Sequence, residues 1–109
     1  MTQGWCPMSL SLTVTATIMG LAKRPGATRD GRVVVSFYIE IDSTQYELNL
    51  VTKPGQGIEQ ALNYLVNNGF LTKDGKIFTL KVPTWAIAKA KGNVIWVHLE
   101  DYERMKGAV

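Results

Sequence analysis

Alternation of apolar and polar side chains is the feature that most constrains how this chain folds. From Leu10 to Ile18, every even position is apolar and every odd position is serine or threonine. Because successive side chains of a strand point to opposite faces, this period of two predicts a strand with one buried face. Similar alternation predicts further strands over 33–41, 45–51, 77–82 and 94–99. The chain is therefore expected to be mainly β.

One segment has the period of a helix instead. Apolar residues from Ile58 to Val66 follow the stripe of an amphipathic helix, which Asn67-Asn68-Gly69 ends. The segment 84–91 stays open, because its alanines and lysines favour a helix whereas its place between two strands also suits a long hairpin arm. The element order β, β, β, α, β, β is typical of the five-stranded Greek-key OB-fold barrel, with one helix between strands three and four.

The length of 109 residues suits one domain. We expect a loose leader over residues 1–8, a single OB-fold domain over 9–103 and a short tail over 104–109. Twelve basic residues against nine acidic residues give a net charge of +3, and the hydrophobic content of 46% is that of a globular domain. No stretch approaches the roughly 18 consecutive apolar residues of a membrane span. A cytoplasmic location is expected.

The sequence offers little for catalysis or metal binding. The single cysteine, Cys6, cannot form an internal disulfide, and the single histidine, His98, excludes a zinc cluster of cysteines and histidines. His98 also lies in a predicted strand without a serine or cysteine partner for nucleophilic catalysis. The acidic stretch from Glu100 to Glu103 is interpreted as a solvated face. We therefore expect no enzyme, no catalytic residue, no metal and no cofactor.

Strand parity brings aromatic and basic residues to one predicted surface. If Ile95 and Val97 point into the barrel, Trp96 points outwards, and the same argument places Tyr38 and Lys81 outside. Flat rings stack on bases and cations follow phosphates, which is the combination that single-stranded nucleic acid requires. The predicted surface consists of Lys23, Arg24, Arg29 and Arg32 from the basic segment 23–32, together with Tyr38, Lys81, Trp85, Lys89, Lys91 and Trp96.

Two other interpretations of this surface remain open. Tryptophan and tyrosine are also residues of subunit interfaces, so Trp96 and Tyr38 suit an OB-fold protein-interaction subunit equally well. RNA is the other alternative, because the sequence gives no sign of whether the surface selects the 2′-OH.

Several short motifs together resemble the DNA-binding core of bacterial-type single-stranded DNA-binding proteins and of their short primosomal and phage relatives. The first strand runs into a glycine bend and a proline-containing basic segment, residues 19–25, which is followed by Arg29 and by the second strand at 33–40. The helix at 58–66 and the Lys91-Gly92-Asn93 hairpin before the last strand also fall where this family has them. The similarity covers roughly residues 10–102.

The resemblance implies an OB fold, a homodimer or homotetramer, and non-catalytic binding that coats or protects single-stranded DNA. Lys23, Arg24, Arg29 and Arg32 match the family's basic loop, and Lys89 and Lys91 match its hairpin arm. Tyr46 lies near the third-strand aromatic that stacks bases in the family, and Trp85 lies near the start of the arm. The family's long linker with an acidic tip has no counterpart in the sequence, so recruitment of repair and replication enzymes is not expected.

Overall fold

The computed structural model describes residues 13–107, which form one curled, six-stranded half-barrel sheet with three helices. The elements in chain order are β1 Thr13–Ala27, β2 Val33–Ile41, β3 Thr44–Val51, α1 Ile58–Asn67, β4 Leu71–Asp74, β5 Ile77–Pro83, α2 Thr84–Ala88, β6 Val94–His98 and α3 Leu99–Gly107. None of the helices in this part of the chain is long and apolar enough to cross a membrane. The expected leader, residues 1–8, lies outside the described residues.

The strand order in the sheet is β4-β5-β1-β2-β3-β6. Neighbouring strands are antiparallel except for β3 and β6, which are parallel. The mainly β expectation is confirmed, but the sheet has six strands rather than five. The additional strand, β4, is only four residues long and contributes one buried residue, Leu71. A strand this short shows no alternation in the sequence, so the sequence does not predict it.

The C-terminal region differs most from expectation. The described chain has three helices instead of one, because residues 84–88 form the short helix α2 and the acidic stretch begins α3. We expected a tail from residue 104, yet α3 continues to Gly107, with Tyr102 fully buried and Met105 almost so. Asp101 is also buried, and its carboxylate accepts the backbone N–H of His98 at 2.9 Å. These contacts stabilise the first turn of the helix, where backbone N–H groups lack partners within the helix.

Strand β1 is longer than its alternation predicts. It continues through Gly20 and the first part of the basic segment as far as Ala27, with register shifts against β2 after Ile18, Leu21 and Lys23. The connection to β2 is therefore the short turn 28–32 rather than a loop of ten residues.

The core lies on one face of the sheet, which we call the inner face. Ile95 and Val97, which we expected to point inwards, are fully buried there, and so are Ile39 and Leu48. All three described helices add side chains to the same core, which include Ala61, Leu65, Ala86, Leu99 and Tyr102. The opposite side of the sheet, the outer face, is thus the side from which these helices are absent.

Candidate functional site

Cross-strand register places the outward-pointing residues in rows over the outer face. In one row Tyr38 lies between Gly20 of β1 and Glu47 of β3. In the next row Ser36 lies beside Lys23 on one side and Asn49 on the other. Because directly paired residues point to the same face, the two rows form one continuous surface across β1, β2 and β3.

The second row continues to β6, where Trp96 is the partner of Asn49. Trp96 is 55% exposed and Tyr38 is 38% exposed, so both rings are accessible to a ligand. They are separated by one strand and one row, which corresponds to roughly 12 Å between their Cα atoms. The prediction that both rings lie on one outer surface is confirmed.

Lys23 carries positive charge directly over this surface. Its Nζ lies 3.2 Å from Oε2 of Glu47, so the ion pair runs diagonally across β2 from the second row to the first. The Lys23 side chain is 60% exposed. An exposed ion pair of this kind contributes little to stability, about 0–1 kcal/mol, so Lys23 can exchange Glu47 for another anion.

Between the aromatic rings lies a buried polar pair that the sequence did not reveal. Ser36 and Asn49 are each 1% exposed, and the Ser36 hydroxyl donates to Oδ1 of Asn49 at 2.6 Å. Nδ2 of Asn49 has no hydrogen-bond partner among the described residues. Parity places both residues on the outer face, but only the register of β2 against β3 shows that they are adjacent.

The basic residues of the predicted loop have different environments. Arg24 and Arg29 are exposed. Arg32 instead pairs with Asp30 at 2.9 Å and with Glu100 at 3.0 Å, and it donates to the carbonyl of Thr52 at 3.1 Å. The hydrogen bond that Arg32 donates to the Asp30 carboxylate raises the pKa of Arg32. Arg32 therefore holds the 28–32 turn against α3, and its charge is largely compensated.

The remaining predicted residues are spread over other parts of the fold. Lys81 is exposed on β5 beside Thr15, near the start of β1, whereas Gly20 lies in the middle of that strand. Trp85 is half-buried in α2 and packs against the core, with Nζ of Lys89 lying 5.5 Å from its ring centroid. Lys91 is exposed just before β6. The structure thus groups Tyr38, Trp96 and Lys23, and it does not bring these other side chains into that group.

Tyr46 has a different orientation from Tyr38. It pairs with fully buried Ile39, lies on the inner face and packs against the core. Both tyrosines nevertheless line a shallow cavity of about 210 Å³ at the end of β3, next to Gly92 and Asn93. A base stacked on Tyr38 would lie on the opposite face of the sheet from the Tyr46 ring.

The side chains near His98 are arranged around a helix end. Nδ1 of His98 lies 3.9 Å from Oδ2 of Asp101, and Oδ1 of the same carboxylate accepts from Arg104. Within residues 13–107, no three histidine, cysteine, aspartate or glutamate residues are grouped so that they could hold a metal ion. The Asp101 contacts explain the local helix geometry without invoking a reaction.

Comparison with known proteins identifies no relative. No protein-family model, curated protein or solved structure matches the chain. Function must therefore be inferred from the residues of the outer face.

Proposed function

We propose that this chain is a non-catalytic single-stranded DNA-binding protein of the OB type, which coats or protects the strand. The observation that carries the proposal is Trp96, a large ring that is 55% exposed on the same face as Tyr38 and Lys23. Each base stacked on such a ring gains about 1–3 kcal/mol, whatever its identity. Lys23, Arg24 and Arg29 supply mobile positive charge for the phosphates.

The strand order supports the OB part of the proposal. Strands β1, β2 and β3 form an antiparallel meander, β5 pairs with β1, and β6 lies parallel to β3. With β4 taken as an added hairpin strand, the order of these five strands is compatible with a Greek-key OB barrel. OB folds bind oligonucleotides on the face of strands two and three and through the loops that connect strands one to two and four to five.

That general binding surface corresponds to specific segments of this chain. The face of strands two and three carries Tyr38, and the loop between strands one and two carries Arg29. The connection between the fourth and fifth barrel strands is residues 84–93, with Trp85, Lys89 and Lys91. Single-stranded DNA that crosses β2 and β3 would therefore meet Arg29 on one side of Tyr38 and the lysines of residues 84–93 on the other.

The test is a titration of intrinsic tryptophan fluorescence with oligo-dT. Quenching is expected at low salt and should weaken as salt rises, because phosphate contacts release counterions. In Trp96→Phe most of the quenching should disappear, whereas Trp85→Phe should retain it because Trp85 packs against the core. Absence of quenching in the folded wild-type protein at low salt would overturn the proposal.

Affinity gives a second readout with its own matched control. Trp96→Ala should weaken oligo-dT binding at least fivefold, since one stacking contact is lost. Phe78→Ala removes a similarly exposed ring, 42% exposed, from the inward-pointing side of β5, and it should leave affinity unchanged. Equal losses in the two variants would show that the outer face has no special role.

An interaction subunit is the second candidate, because Trp96 lies on β6, an edge strand of the described sheet. A ring at a sheet edge also suits contact with a protein partner or with a second copy in a homodimer or homotetramer. In that case Trp96→Ala should lower the assembly state in light scattering while oligonucleotide affinity stays the same.

Competition between oligo-dT and oligo-U separates DNA binding from RNA binding.

A further inference from the structure

Asn49 is a buried amide on the face of the sheet that the described helices do not cover. Its Oδ1 accepts from Ser36, while its Nδ2, which can donate two hydrogen bonds, has no partner among the described residues. Leaving a buried donor unsatisfied is costly, and such exceptions in folded proteins call for an explanation. The core on the inner face does not require this amide, since an apolar side chain would fill the position without that cost.

The described side chains next to this pair are exposed and can move. Lys23 of β1 flanks Ser36, and Trp96 of β6 flanks Asn49. The ion pair between Lys23 and Glu47 of β3 crosses β2. Exposed side chains change rotamer within nanoseconds, and a surface ion pair resists this only weakly. A ligand that stacks on Trp96 and attracts Lys23 to a phosphate would therefore displace described side chains that flank the pair.

The hydroxyl of Ser36 also decides which amide atom faces such a ligand. Because the hydroxyl donates to Oδ1 of Asn49, the N–H₂ group is the part of the amide that is left for another partner. A donor in this position selects an acceptor. The bases differ in the acceptors they offer, because thymine, guanine and cytosine carry exocyclic carbonyl oxygens whereas adenine offers only ring nitrogens.

We propose that Asn49, oriented by Ser36, is a specificity-determining residue that donates a hydrogen bond to a carbonyl oxygen of a base stacked beside Trp96. The inference rests on the proposed function and adds to it a preference for thymine-containing strands over adenine-containing strands. Stacking alone tolerates every base, so any preference must come from a directional contact such as this one.

The experiment compares oligo-dT and oligo-dA binding by anisotropy of labelled oligonucleotides in wild type and in the double variant Ser36→Ala, Asn49→Leu. The wild type should bind oligo-dT roughly tenfold more tightly than the double variant does, with affinity for oligo-dA unchanged. Because the change in the dT/dA ratio between proteins is measured, the self-stacking of oligo-dA cancels. Removing both polar partners together should leave the melting temperature equal or higher.

A matched control is the hydroxyl pair of Thr72 and Thr79, whose oxygens lie 2.6 Å apart across β4 and β5. The double variant Thr72→Val, Thr79→Val should keep the wild-type dT/dA ratio.

If the Ser36, Asn49 double variant does not fold, Ser36→Ala alone should lower the ratio because the amide orientation is no longer fixed. An unchanged dT/dA ratio in a folded variant overturns the inference while leaving DNA binding intact. A lower melting temperature together with equal losses of affinity for oligo-dT and oligo-dA also overturns it. Wild-type protein that binds neither oligonucleotide overturns the proposed function itself.

Discussion

Tyr102 connects the last helix to the sheet through a single side chain. Its ring is fully buried against Phe70, with centroids 4.9 Å apart, and its hydroxyl donates to the carbonyl of Lys81 at 2.6 Å. Burial raises the pKa of Tyr102 well above its usual value, so the hydroxyl stays protonated and remains a donor at every ordinary pH. A tyrosine within an acidic stretch thus acts as a core residue.

Tyr102→Phe should lower the free energy of unfolding by about 1–2 kcal/mol, because the Lys81 carbonyl loses the hydroxyl donor of the buried Tyr102 while the ring packing is kept. Urea denaturation at neutral pH measures the change. Tyr38→Phe is the control, since it removes a hydroxyl from an exposed ring and should alter stability by less than about 0.5 kcal/mol. Equal stability of Tyr102→Phe and wild type would contradict the role assigned to the hydroxyl.

Among elements, the 28–32 turn is anchored unusually well for a surface connection. Thr28 and Arg32 both bond Asp30, and Arg32 reaches Glu100 at the start of α3. Hydrogen bonds from Thr28 and Arg32 lower the pKa of Asp30. Burial alone would raise the pKa of Glu100, but a backbone hydrogen bond and Arg32 together lower it. The turn therefore keeps a defined shape beside the exposed Arg29.

This arrangement predicts how stability depends on pH. Both carboxyl groups have a lowered pKa in the folded chain; the ordinary pKa values are 3.8 for Asp30 and 4.5 for Glu100. At a pH above these ordinary values, each carboxylate therefore contributes fully to the stability of the fold. This contribution is lost as the pH falls through the lowered pKa of the folded chain. Arg32→Ala should reduce neutral-pH stability and make the loss on acidification shallower. Urea denaturation at neutral and acidic pH measures both effects. Arg24→Ala removes an exposed charge and should leave the acid dependence of wild type, and a similar slope in both variants would refute the coupling.

The elements that the sequence predicted are those whose apolar residues recur with a clear period. Strands β2, β3, β5 and β6 and helix α1 lie within two residues of their predicted bounds at each end. Helix α3 was missed because its core contacts come from Leu99, Tyr102 and Met105, of which Leu99 also completes the alternation of β6. Parity likewise predicted that Trp96 and Tyr38 share a face. The Ser36–Asn49 and Lys23–Glu47 contacts depend on cross-strand register, which no local pattern encodes.

At the scale of the whole molecule, the net charge of +3 is distributed unevenly. Arg32 is compensated by two carboxylates, and Lys53 pairs with Glu103 at 3.0 Å. Arg24 and Arg29 remain exposed near the outer face. The end of β1 and the β1–β2 turn therefore supply one group of exposed cations, whereas further exposed lysines lie on β4, in the β4–β5 turn, on β5 and in the segment before β6.

This distribution predicts a position-dependent salt effect. If Arg29 contacts a phosphate, Arg29→Gln should reduce the slope of log affinity against log salt by about 0.7 for a single strand. Lys76→Gln, in the exposed β4–β5 turn, removes the same charge and should leave the slope unchanged. Oligo-dT titrations at several salt concentrations provide the measurement. Equal slope changes would indicate a general charge effect instead of a defined path for the strand.

The substitution Glu47→Gln should increase the affinity for oligo-dT instead of lowering it. Because Glu47 competes with phosphate for Lys23, its neutralisation should increase oligo-dT affinity, on the order of threefold for a surface ion pair. Glu59→Gln in the first turn of α1 is the matched control for net charge, since Glu59 is exposed on a helix that packs on the inner face. An equal increase in both variants would assign the effect to net charge alone.

The parallel pairing of β3 with β6 has a consequence for the order of folding. Asn49 and Trp96 become neighbours only after α1, β4, β5 and α2 have been traversed by the chain, and contacts so distant in sequence form slowly because a long loop must first close. The β1–β2–β3 meander can form earlier from local hairpins. A chain still emerging from the ribosome would thus present Tyr38 and Lys23 before Trp96 arrives, and competence to hold a nucleic acid would mark the completion of folding.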